Sequence, residues 1–408
     1  MNAVAYALLN PPLAFEPREN PNQPLKPVLI LKMKHWCNGV MSQKPMHTAE
    51  RRIWQIERAR QTLLMDQAPL EPGCIAAWVE RSWRRCLARG QNPRQRVVFE
   101  TVSAAAMRRA IETSQPLLQA VGPVIRSLAR AMAHTRYFAI LTNADGIVID
   151  VNGPIDRHDP RATSIARVGV DLSEAAVGTT AIGASLTDIQ PVWLHRGEHF
   201  FDDTAIYSCA GAPVIGPDGR CIGMLDLTGI DVPERPALKH LVTQSVRSIE
   251  NALTLAQPHH LLLRLQWPGH LIGEDGDGLL AVDADGLITG ANRNAVDMLT
   301  LPTGAGWPHC SDVFAVPTNS LFDAARQRRG VLELPLWSGL RILVMPLLHA
   351  DNPISAGHGV PHGHAVPLRD VETAMIRKAV EDAGGNVAEA ARALGISRAT
   401  VYRKLERR

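Results

Sequence analysis

The stretch GGNVAEAARALGISRATVYRKLERR, residues 384–408, closes the chain and decides how its last domain is interpreted. Asn386 is expected to cap the start of a helix here, and Gly395 would let the chain turn after its end. Between them, apolar residues recur at the i, i+3, i+4, i+7 spacing of one helix face, namely Val387, Ala390, Ala391 and Leu394. The spacing predicts a short helix that packs along one side and ends in a tight turn.

A further helix is predicted directly after that turn, with Ser397 as its N-cap and Val401 and Leu405 facing inward. Residues 370–383 predict an earlier helix that stops at a Gly-Gly pair. Three short helices with a tight turn between the last two are typical of a helix-turn-helix, whose final helix enters the major groove of DNA. The residues expected to contact double-stranded DNA are Ser397, Arg398, Thr400, Tyr402, Arg403 and Lys404.

This stretch resembles the Fis-type helix-turn-helix that ends many bacterial enhancer-binding regulators. The shared pattern is GGN, then a pair of alanines, then LGISR followed by T, Y, R, K and L at fixed positions. The resemblance implies a homodimer that presents two recognition helices to a two-fold DNA site. The alternative interpretation is a small helical cap with a basic, solvated face.

Composition limits where such binding can occur. The formal net charge of the 408 residues is only +3, so nucleic-acid binding must be local, and the basic C-terminus fits that requirement. The six cysteines form no CxxC pair, which argues against a zinc ribbon or a disulfide framework and favours a reducing cytoplasm. The sequence has no apolar run of about 18 residues, so we expect a cytoplasmic protein without a membrane span.

The first part of the chain is expected to be a disordered extension, residues 1–46, followed by a helical region, residues 47–135. Within the extension, Met41 is an alternative start. One helical stretch is predicted over residues 102–134, and an apolar stripe along it is suited to helix packing or to dimerisation. The stripe consists of Leu117, Leu118, Val121, Val124, Ile125 and Leu128.

In residues 136–256 the spacing of the apolar residues changes from that of a helix to that of strands. This pattern predicts an α+β sensory domain. YFAILTNADGIVIDVNG predicts a hairpin that turns at Asp145-Gly146, and SCAGAPVIGPDGRCIGMLDLTG predicts another that turns at Pro217–Gly219. Strands separated by helical segments favour a central antiparallel sheet.

Residues 272–348 show a third hairpin, which turns at Asp285-Gly286, then a helix from about Asn292, then two strands. This order resembles a PAS domain. Residues 349–368 are rich in Gly, Pro and His and predict a flexible linker to the helix-turn-helix at 369–408. Its histidines either bind a metal or belong to a solvated linker, and the second interpretation is favoured: His349, His358, His362 and His364.

Three segments together resemble regulators of acetoin catabolism, the AcoR-like proteins. RSWRRCLARGQNPR resembles their N-terminal signature, residues 168–229 resemble their GAF domain, and the Fis-type end completes the set. The family usually carries an AAA+ ATPase that remodels polymerase bound to sigma-54. This chain has no Gly-Lys pair, so it has no Walker A loop, and it lacks the GAFTGA loop. The chain is therefore expected to be a regulator without that motor.

Four residues of the GAF segment are candidate ligand contacts: His195, Glu198, His199 and Cys209. Histidines beside a carboxylate can hydrogen-bond a metabolite or ligate a metal, and an activated Cys209 thiol could act as a redox switch. The alternatives are a structural role for the first three and a buried, inert thiol. GTTAIG (178–183) is similar to a phosphate loop but lacks its lysine, so close helix packing is favoured there.

The leading hypothesis is a multidomain α+β transcriptional regulator that binds DNA as a homodimer and responds to an unknown small-molecule effector. No cofactor, metal or catalytic residue is expected, and contact with RNA polymerase is left open. A second hypothesis is a motorless partner or competitor of a full-length sigma-54 activator. An enzyme is disfavoured because no nucleophile–base pair stands out.

Overall fold

The computed structural model describes residues 48–302, 304 and 306–348, together with a few positions of the C-terminal segment: Val380, Asn386, Val387, Glu389, Ala391, Arg398 and Val401. The expected N-terminal extension, the histidine-containing linker and most of the helix-turn-helix lie outside these residues.

The N-terminal part of the described chain is helical, as the sequence predicts. Its helices are α1 (Thr48–Arg60), which continues as a π-helical turn (Gln61–Met65), α2 (Ala77–Ala88), α3 (Ala104–Thr113) and α4 (Gln115–Met132). The single helical stretch expected over 102–134 is in fact two helices, because the helix is interrupted at Ser114. The Ser103 hydroxyl caps the first of them by accepting the Ala106 N–H at 3.3 Å.

A five-stranded antiparallel sheet follows, in the order β2-β1-β5-β4-β3. Its strands are β1 (Tyr137–Asn143), β2 (Val148–Asn152), β3 (Val192–His195), β4 (Tyr207–Ile215) and β5 (Cys221–Ile230). Both predicted hairpins are present, at Asp145-Gly146 and at Pro217–Gly219. We call residues 137–255 the first module.

Residues on this sheet alternate between two cores. On one face, Tyr137, Ala139 and Leu141 of β1 pack with α4 and with α8 (Ala237–Leu255). On the other face, Phe138 and Ile140 pack with three short helices: α5 (Pro160–Ile165), α6 (Glu174–Val177) and α7 (Ala181–Asp188). The period of two along β1 therefore buries both faces and gives three layers.

The apolar stripe of α4 is used inside this module. Leu117, Val121, Ile125 and Leu128 are buried against α8 and the sheet, whereas Leu118 and Val124 are only partly buried. Of the two roles that the sequence left open for the stripe, helix packing within the chain is therefore the one these four residues have.

Residues 261–348 form a second five-stranded antiparallel sheet, in the order β8-β7-β6-β10-β9. We call this the second module. Its strands are β6 (Leu261–Gln266), β7 (Gly278–Val282), β8 (Ile288–Ala291), β9 (Leu332–Pro335) and β10 (Arg341–Leu348), with helices α9 (Arg293–Leu299), α10 (Cys310–Val313) and α11 (Thr318–Arg326) before β9.

The hairpin at Asp285-Gly286, the helix after Asn292 and the final two strands are present as the sequence predicts. Asn292 caps α9, because its Oδ1 accepts the Ala295 N–H at 2.9 Å. The central strand β6 lies before the expected start of this domain at residue 272 and was not predicted.

The two modules meet through partly buried polar contacts. Arg293 donates to Glu250 Oε1 at 2.9 Å and to the Pro213 carbonyl at 3.1 Å. The Pro217 carbonyl, in the β4–β5 turn, accepts the Ala291 N–H at 2.9 Å and Trp307 Nε1–H at 2.8 Å. This joint connects the end of β4 directly to the first residue of α9.

The described positions of the C-terminal segment agree with the first of its predicted helices. Asn386 Oδ1 accepts the Glu389 N–H at 3.3 Å, which is the expected N-cap bond. Ala391 and Val401 are buried, with Val380 and Val387 packed against them, while Arg398 is helical and exposed.

In the part of the chain that the structure describes, every helix is too short or too polar to cross a membrane.

Candidate functional site

A small buried chamber lies in the first module between the sheet and helices α5–α7. Its volume is about 10 Å³, and one water molecule needs roughly that much. The lining residue nearest to solvent is Phe99, which is half-buried and packs edge-on against Tyr207, with 6.1 Å between ring centroids. The other lining residues are Ile165, Leu172, Thr180, Ala181, Ile182, His199, Thr204, Tyr207, Cys209, Asp226 and Thr228.

Asp226 is the most unusual of these residues. It lies in the middle of β5, is 0% exposed, and points to the same face as Met224 and Thr228 because side chains alternate along a strand. Its Oδ2 accepts the Thr228 hydroxyl, while its Oδ1 has no hydrogen-bond partner. Burial raises the pKa of Asp226 to about 7. A buried carboxyl oxygen without a partner is costly in a folded protein, which makes it a candidate for binding a ligand.

His199, which also lines the chamber, has a second unpartnered polar atom. Its Nδ1 lies 2.9 Å from the Arg196 carbonyl oxygen, which can only accept a hydrogen bond, so Nδ1 carries the proton. Nε2 is then an acceptor, and it has no partner. Burial lowers the pKa of His199 to about 4, so the ring is neutral at pH 7.

The four predicted ligand contacts therefore divide into two pairs. His199 and Cys209 line the chamber together. His195 turns to the opposite face of the sheet, where its ring stacks on Trp193 with 5.8 Å between centroids and its Nδ1 lies 2.6 Å from the Ser208 hydroxyl. Glu198 is buried and its Oε2 accepts the His195 N–H at 2.8 Å, which is a structural role within the turn.

The Cys209 thiol does not have the environment of a redox switch. Burial raises its pKa well above the ordinary value, and the nearby Asp226 carboxyl adds to the shift. Its Sγ lies 3.5 Å from the Thr228 hydroxyl, whose own proton goes to Asp226. Because the thiolate is the reactive form, this thiol is expected to be inert.

The loop that carries His199 is held by hydrogen bonds from residues of the N-terminal helices. Arg60 is 7% exposed and donates to the carbonyls of Gly197, His199 and Phe200 and to the Asp202 carboxylate. Trp83 Nε1–H donates to the Glu198 carbonyl at 2.9 Å. The helical region before the sheet thus fixes one wall of the chamber.

A second set of hydrogen bonds gives residues of the SWRRC signature a structural role. Glu174, at the start of α6, is 4% exposed and accepts Arg85 Nε–H and Nη2–H, both at 2.7 Å, and the Ser82 hydroxyl at 2.6 Å. Arg89 adds a contact at 2.9 Å. Burial alone would raise the pKa of Glu174, but these hydrogen bonds and charges outweigh it and lower the pKa.

The GTTAIG segment packs against Glu174, in agreement with the close helix packing that the sequence favoured over a phosphate loop. A Cβ added at Gly183 would lie 2.8 Å from both the backbone N and the Cβ of Glu174. The Thr180 hydroxyl caps α7 by accepting the Gly183 N–H at 3.1 Å. The glycine is needed for close approach of α6 and α7.

Sequence reasoning missed Asp226, Arg60 and Glu174. Asp226 carried a signal, since a lone carboxylate at an inward position of the apolar strand GMLDLTG has no solvent to face. Arg60 and Glu174 gave no such signal, because their partners lie far away along the chain: Phe200 is 140 residues from Arg60, and Arg85 is 89 residues from Glu174. Across the described ranges, no cluster of His, Cys, Asp and Glu could hold a metal ion.

Of the predicted DNA contacts, the structure describes Arg398, which is exposed on a helix. Ser397, Thr400, Tyr402, Arg403 and Lys404 lie outside the described residues, so their role stays a prediction.

Two segments of the chain match known protein families. Residues 54–251 match the family model described as MimR, N-terminal domain, and residues 367–407 match that of the bacterial regulatory protein, Fis family. The chain is 27% identical over 260 residues to the acetoin catabolism regulatory protein of Cupriavidus necator, covering 62% of this chain and 39% of that protein. It is 29% identical over 235 residues to MimR, the propane 2-monooxygenase operon transcriptional activator of Mycolicibacterium smegmatis, covering 55% and 39%.

The alignments thus span about two fifths of the length of these relatives. Among solved structures, the GAF domain of an Acinetobacter phosphoenolpyruvate-protein phosphotransferase matches with 15% identity and a TM-score of 0.25, covering 44% of this chain and 94% of that domain. Two parts of the chain are therefore similar to known transcriptional regulators: residues 54–251 to the MimR N-terminal domain, with AcoR and MimR among the homologues, and residues 367–407 to the Fis family.

Proposed function

We propose that this chain is a sequence-specific, DNA-binding transcriptional regulator whose first module senses a small-molecule effector in the chamber around Asp226 and His199. The observation that carries the proposal is one chain that combines a Fis-type segment with a buried chamber, two of whose lining residues, Asp226 and His199, each have an unpartnered polar atom. The names of its relatives, an acetoin regulator and an operon activator, favour the same function.

The proposed organisation follows from the sequence. Residues 136–256 are the GAF sensory domain, 272–348 a PAS-like domain, 349–368 the linker and 369–408 the helix-turn-helix. The protein acts as a homodimer on a two-fold site. Effector binding shifts the dimer between states only as far as the effector prefers one of them. Since this sequence has no Walker A loop, the chain does not itself drive sigma-54 polymerase by ATP hydrolysis.

The test is a fluorescence-anisotropy titration of the full chain with its own upstream promoter DNA and with a scrambled duplex, at physiological salt. Promoter binding at least about a thousandfold tighter is expected. Arg403→Ala should weaken specific binding by about 1–3 kcal/mol if it contacts a base. The matched control is Arg326→Ala, which removes an exposed arginine of α11 and should change nothing. Equal affinity for both duplexes contradicts the proposal.

A second candidate function is that of a motorless partner of a full-length sigma-54 activator. The missing Walker A loop favours it. Co-purification with such an activator as mixed dimers would support it, and exclusive homodimers would count against it.

A further inference from the structure

We propose that the groove between α4 and α8 is the surface through which two copies of this chain pair, with the ends of the groove exchanged so that Arg130 of one copy lies near Asp275 of the other. This inference deepens the proposed function and rests on it, because it names the surface of the proposed homodimer.

The groove is open to solvent and uncharged. It has a volume of about 330 Å³ and lies between the two helices that cover one face of the first sheet. None of the described residues that line it is charged. A groove of this kind accepts a helix of another molecule, because the side chains of one helix pack between those of its neighbours. Its walls include Pro123, Val124, Ser127, Ala131, Leu241 and Gln244.

The helices α4 and α8 run in opposite directions. Tyr137, soon after the end of α4, pairs with Gly229 near the end of β5, and its hydroxyl donates to the Pro233 carbonyl, before α8, at 3.4 Å. The last turn of α4 and the first turn of α8 therefore lie at the same end of the groove. We call this the basic end, and the opposite end, with Pro123 and Ser248, the acidic end.

The basic end carries exposed cations from both helices. Arg130 lies in the last turn of α4, Arg136 follows that helix, and Lys239 lies in the first turn of α8; all three are exposed. Glu234 and Arg235, in the segment before α8, cancel each other in charge. The sequence of α4 contains no acidic residue. This end of the groove therefore has an excess of positive charge.

The acidic end carries two exposed carboxylates from the loop between β6 and β7. Ser248, in the groove wall, donates to Asp275 Oδ2 at 2.8 Å, and Glu274 is the neighbour of Asp275 in the loop. Arg247 precedes Ser248, but it lies three residues from Glu250 on the same side of α8, where its charge acts on that carboxyl. The groove therefore has opposite charges at its two ends.

These charges favour one way of pairing two copies. A closed dimer has a two-fold axis, so the same surface of each copy faces the other. When the axis exchanges the ends of the groove, each basic end meets an acidic end, and this contact occurs twice. When the axis runs along the groove, like charges meet at both ends, which is unfavourable. The first arrangement is the one that places Arg130 near the partner's Asp275.

The test measures the dissociation constant of the dimer by sedimentation velocity of the full chain at physiological salt. Ser127→Arg places a charged side chain in the uncharged groove, twice per dimer, and should weaken the dimer at least about tenfold. The matched control is Asn319→Arg, at an exposed position of α11 in the second module, which should leave the dissociation constant unchanged. Circular dichroism checks that both variants fold.

A charge exchange tests the arrangement of the two copies. Arg130→Glu alone and Asp275→Arg alone should each weaken the dimer about tenfold, because like charges then meet at both ends. The double variant brings opposite charges together again and should regain most of the lost affinity. If Asp275→Arg does not fold once its bond with Ser248 is lost, Glu274→Arg takes its place with the same expected results.

Three results would overturn the inference: a wild-type chain that stays monomeric, a dimer insensitive to Ser127→Arg, which would leave the groove to a different protein, or a double variant that regains no affinity. The promoter titration on the same samples separates this failure from failure of the proposed function. Promoter-specific binding by a dimer that ignores these changes rejects only the surface. A dimer that responds to them but binds both duplexes equally rejects only the regulator.

Discussion

At the scale of single residues, the burial of Asp226 should make the stability of the protein depend on pH. An aspartate whose folded-state pKa is raised to about 7 binds its proton more tightly in the folded than in the unfolded chain, where its pKa is about 3.9. Stability contributed by this carboxyl is therefore fully present below about pH 4 and is lost as pH rises to about 7.

Asp226→Asn removes this dependence, since the amide does not titrate and its oxygen can still accept the Thr228 hydroxyl. Between pH 5 and pH 8, we expect the wild-type free energy of unfolding to fall by about 2 kcal/mol relative to that of the variant. Urea unfolding at both pH values measures the difference. The neighbouring Cys209 and Tyr137 do not titrate in this window, because burial raises the pKa of each. Parallel pH profiles for the two proteins would contradict the prediction.

Gly183 gives a second prediction at this scale. Gly183→Ala places a methyl group 2.8 Å from the Glu174 backbone, which has to move, so we expect a loss of about 1–3 kcal/mol. Gly122→Ala, in α4, is the matched control. Its new methyl group meets only the flexible Arg126 side chain, at 3.7 Å, so the helix should gain about 0.5–1 kcal/mol. Thermal unfolding of both variants measures these changes in stability. Equal changes in the two variants would show that α6 and α7 can separate easily.

At the scale of elements, α2 is held to the first module by the Arg85–Glu174 pair. Arg85→Ala leaves a buried carboxylate with fewer donors, and we expect a loss of about 1.5–3 kcal/mol. Arg84→Ala is the control, since Arg84 pairs with Glu80 on the exposed side of the same helix and such pairs contribute about 0.5 kcal/mol or less. Chemical denaturation compares the two. A similar small loss in both would mean that Arg89 and Ser82 alone hold Glu174.

These elements also show what sequence patterns can and cannot predict. The three hairpins were predicted because Asp-Gly turns and alternating strands are local signals. The cap at Asn292 was predicted for the same reason. The strand β6 was missed, because LLLRLQ is a short apolar run with no turn residue of its own to define a partner.

The candidate site was predicted only in part, for a related reason. His199 and Cys209 were found, but the face to which a side chain points depends on strand register. His195 and Cys209 belong to paired strands, yet the register Leu194↔Cys209 puts His195 one residue out of step and on the other face.

At the scale of the whole molecule, the joint between the modules links the strand that carries a chamber residue to the second module. Strand β4 carries Cys209 in the chamber wall and Pro213 four residues further on, and the Pro213 carbonyl accepts from Arg293. Glu250, in the second half of α8, accepts hydrogen bonds from Arg293 and, at 2.8 Å, from the Ile215 N–H. Cooperative unfolding of the two modules should therefore depend on Arg293.

Arg293→Ala should uncouple the unfolding of the two modules. It leaves Glu250, whose side chain is 2% exposed, without its cationic partner, so we expect a destabilisation of about 2–3 kcal/mol. Urea unfolding of the native protein, followed by tryptophan fluorescence and by far-UV circular dichroism, should give coincident transitions, and the variant should give two. Arg341→Ala is the control, because Arg341 pairs with Glu333 on an exposed strand of the second module and its loss should leave the transitions coincident. Coincident transitions in Arg293→Ala as well would mean that the contacts of Pro217 with Ala291 and Trp307 are sufficient to couple the modules.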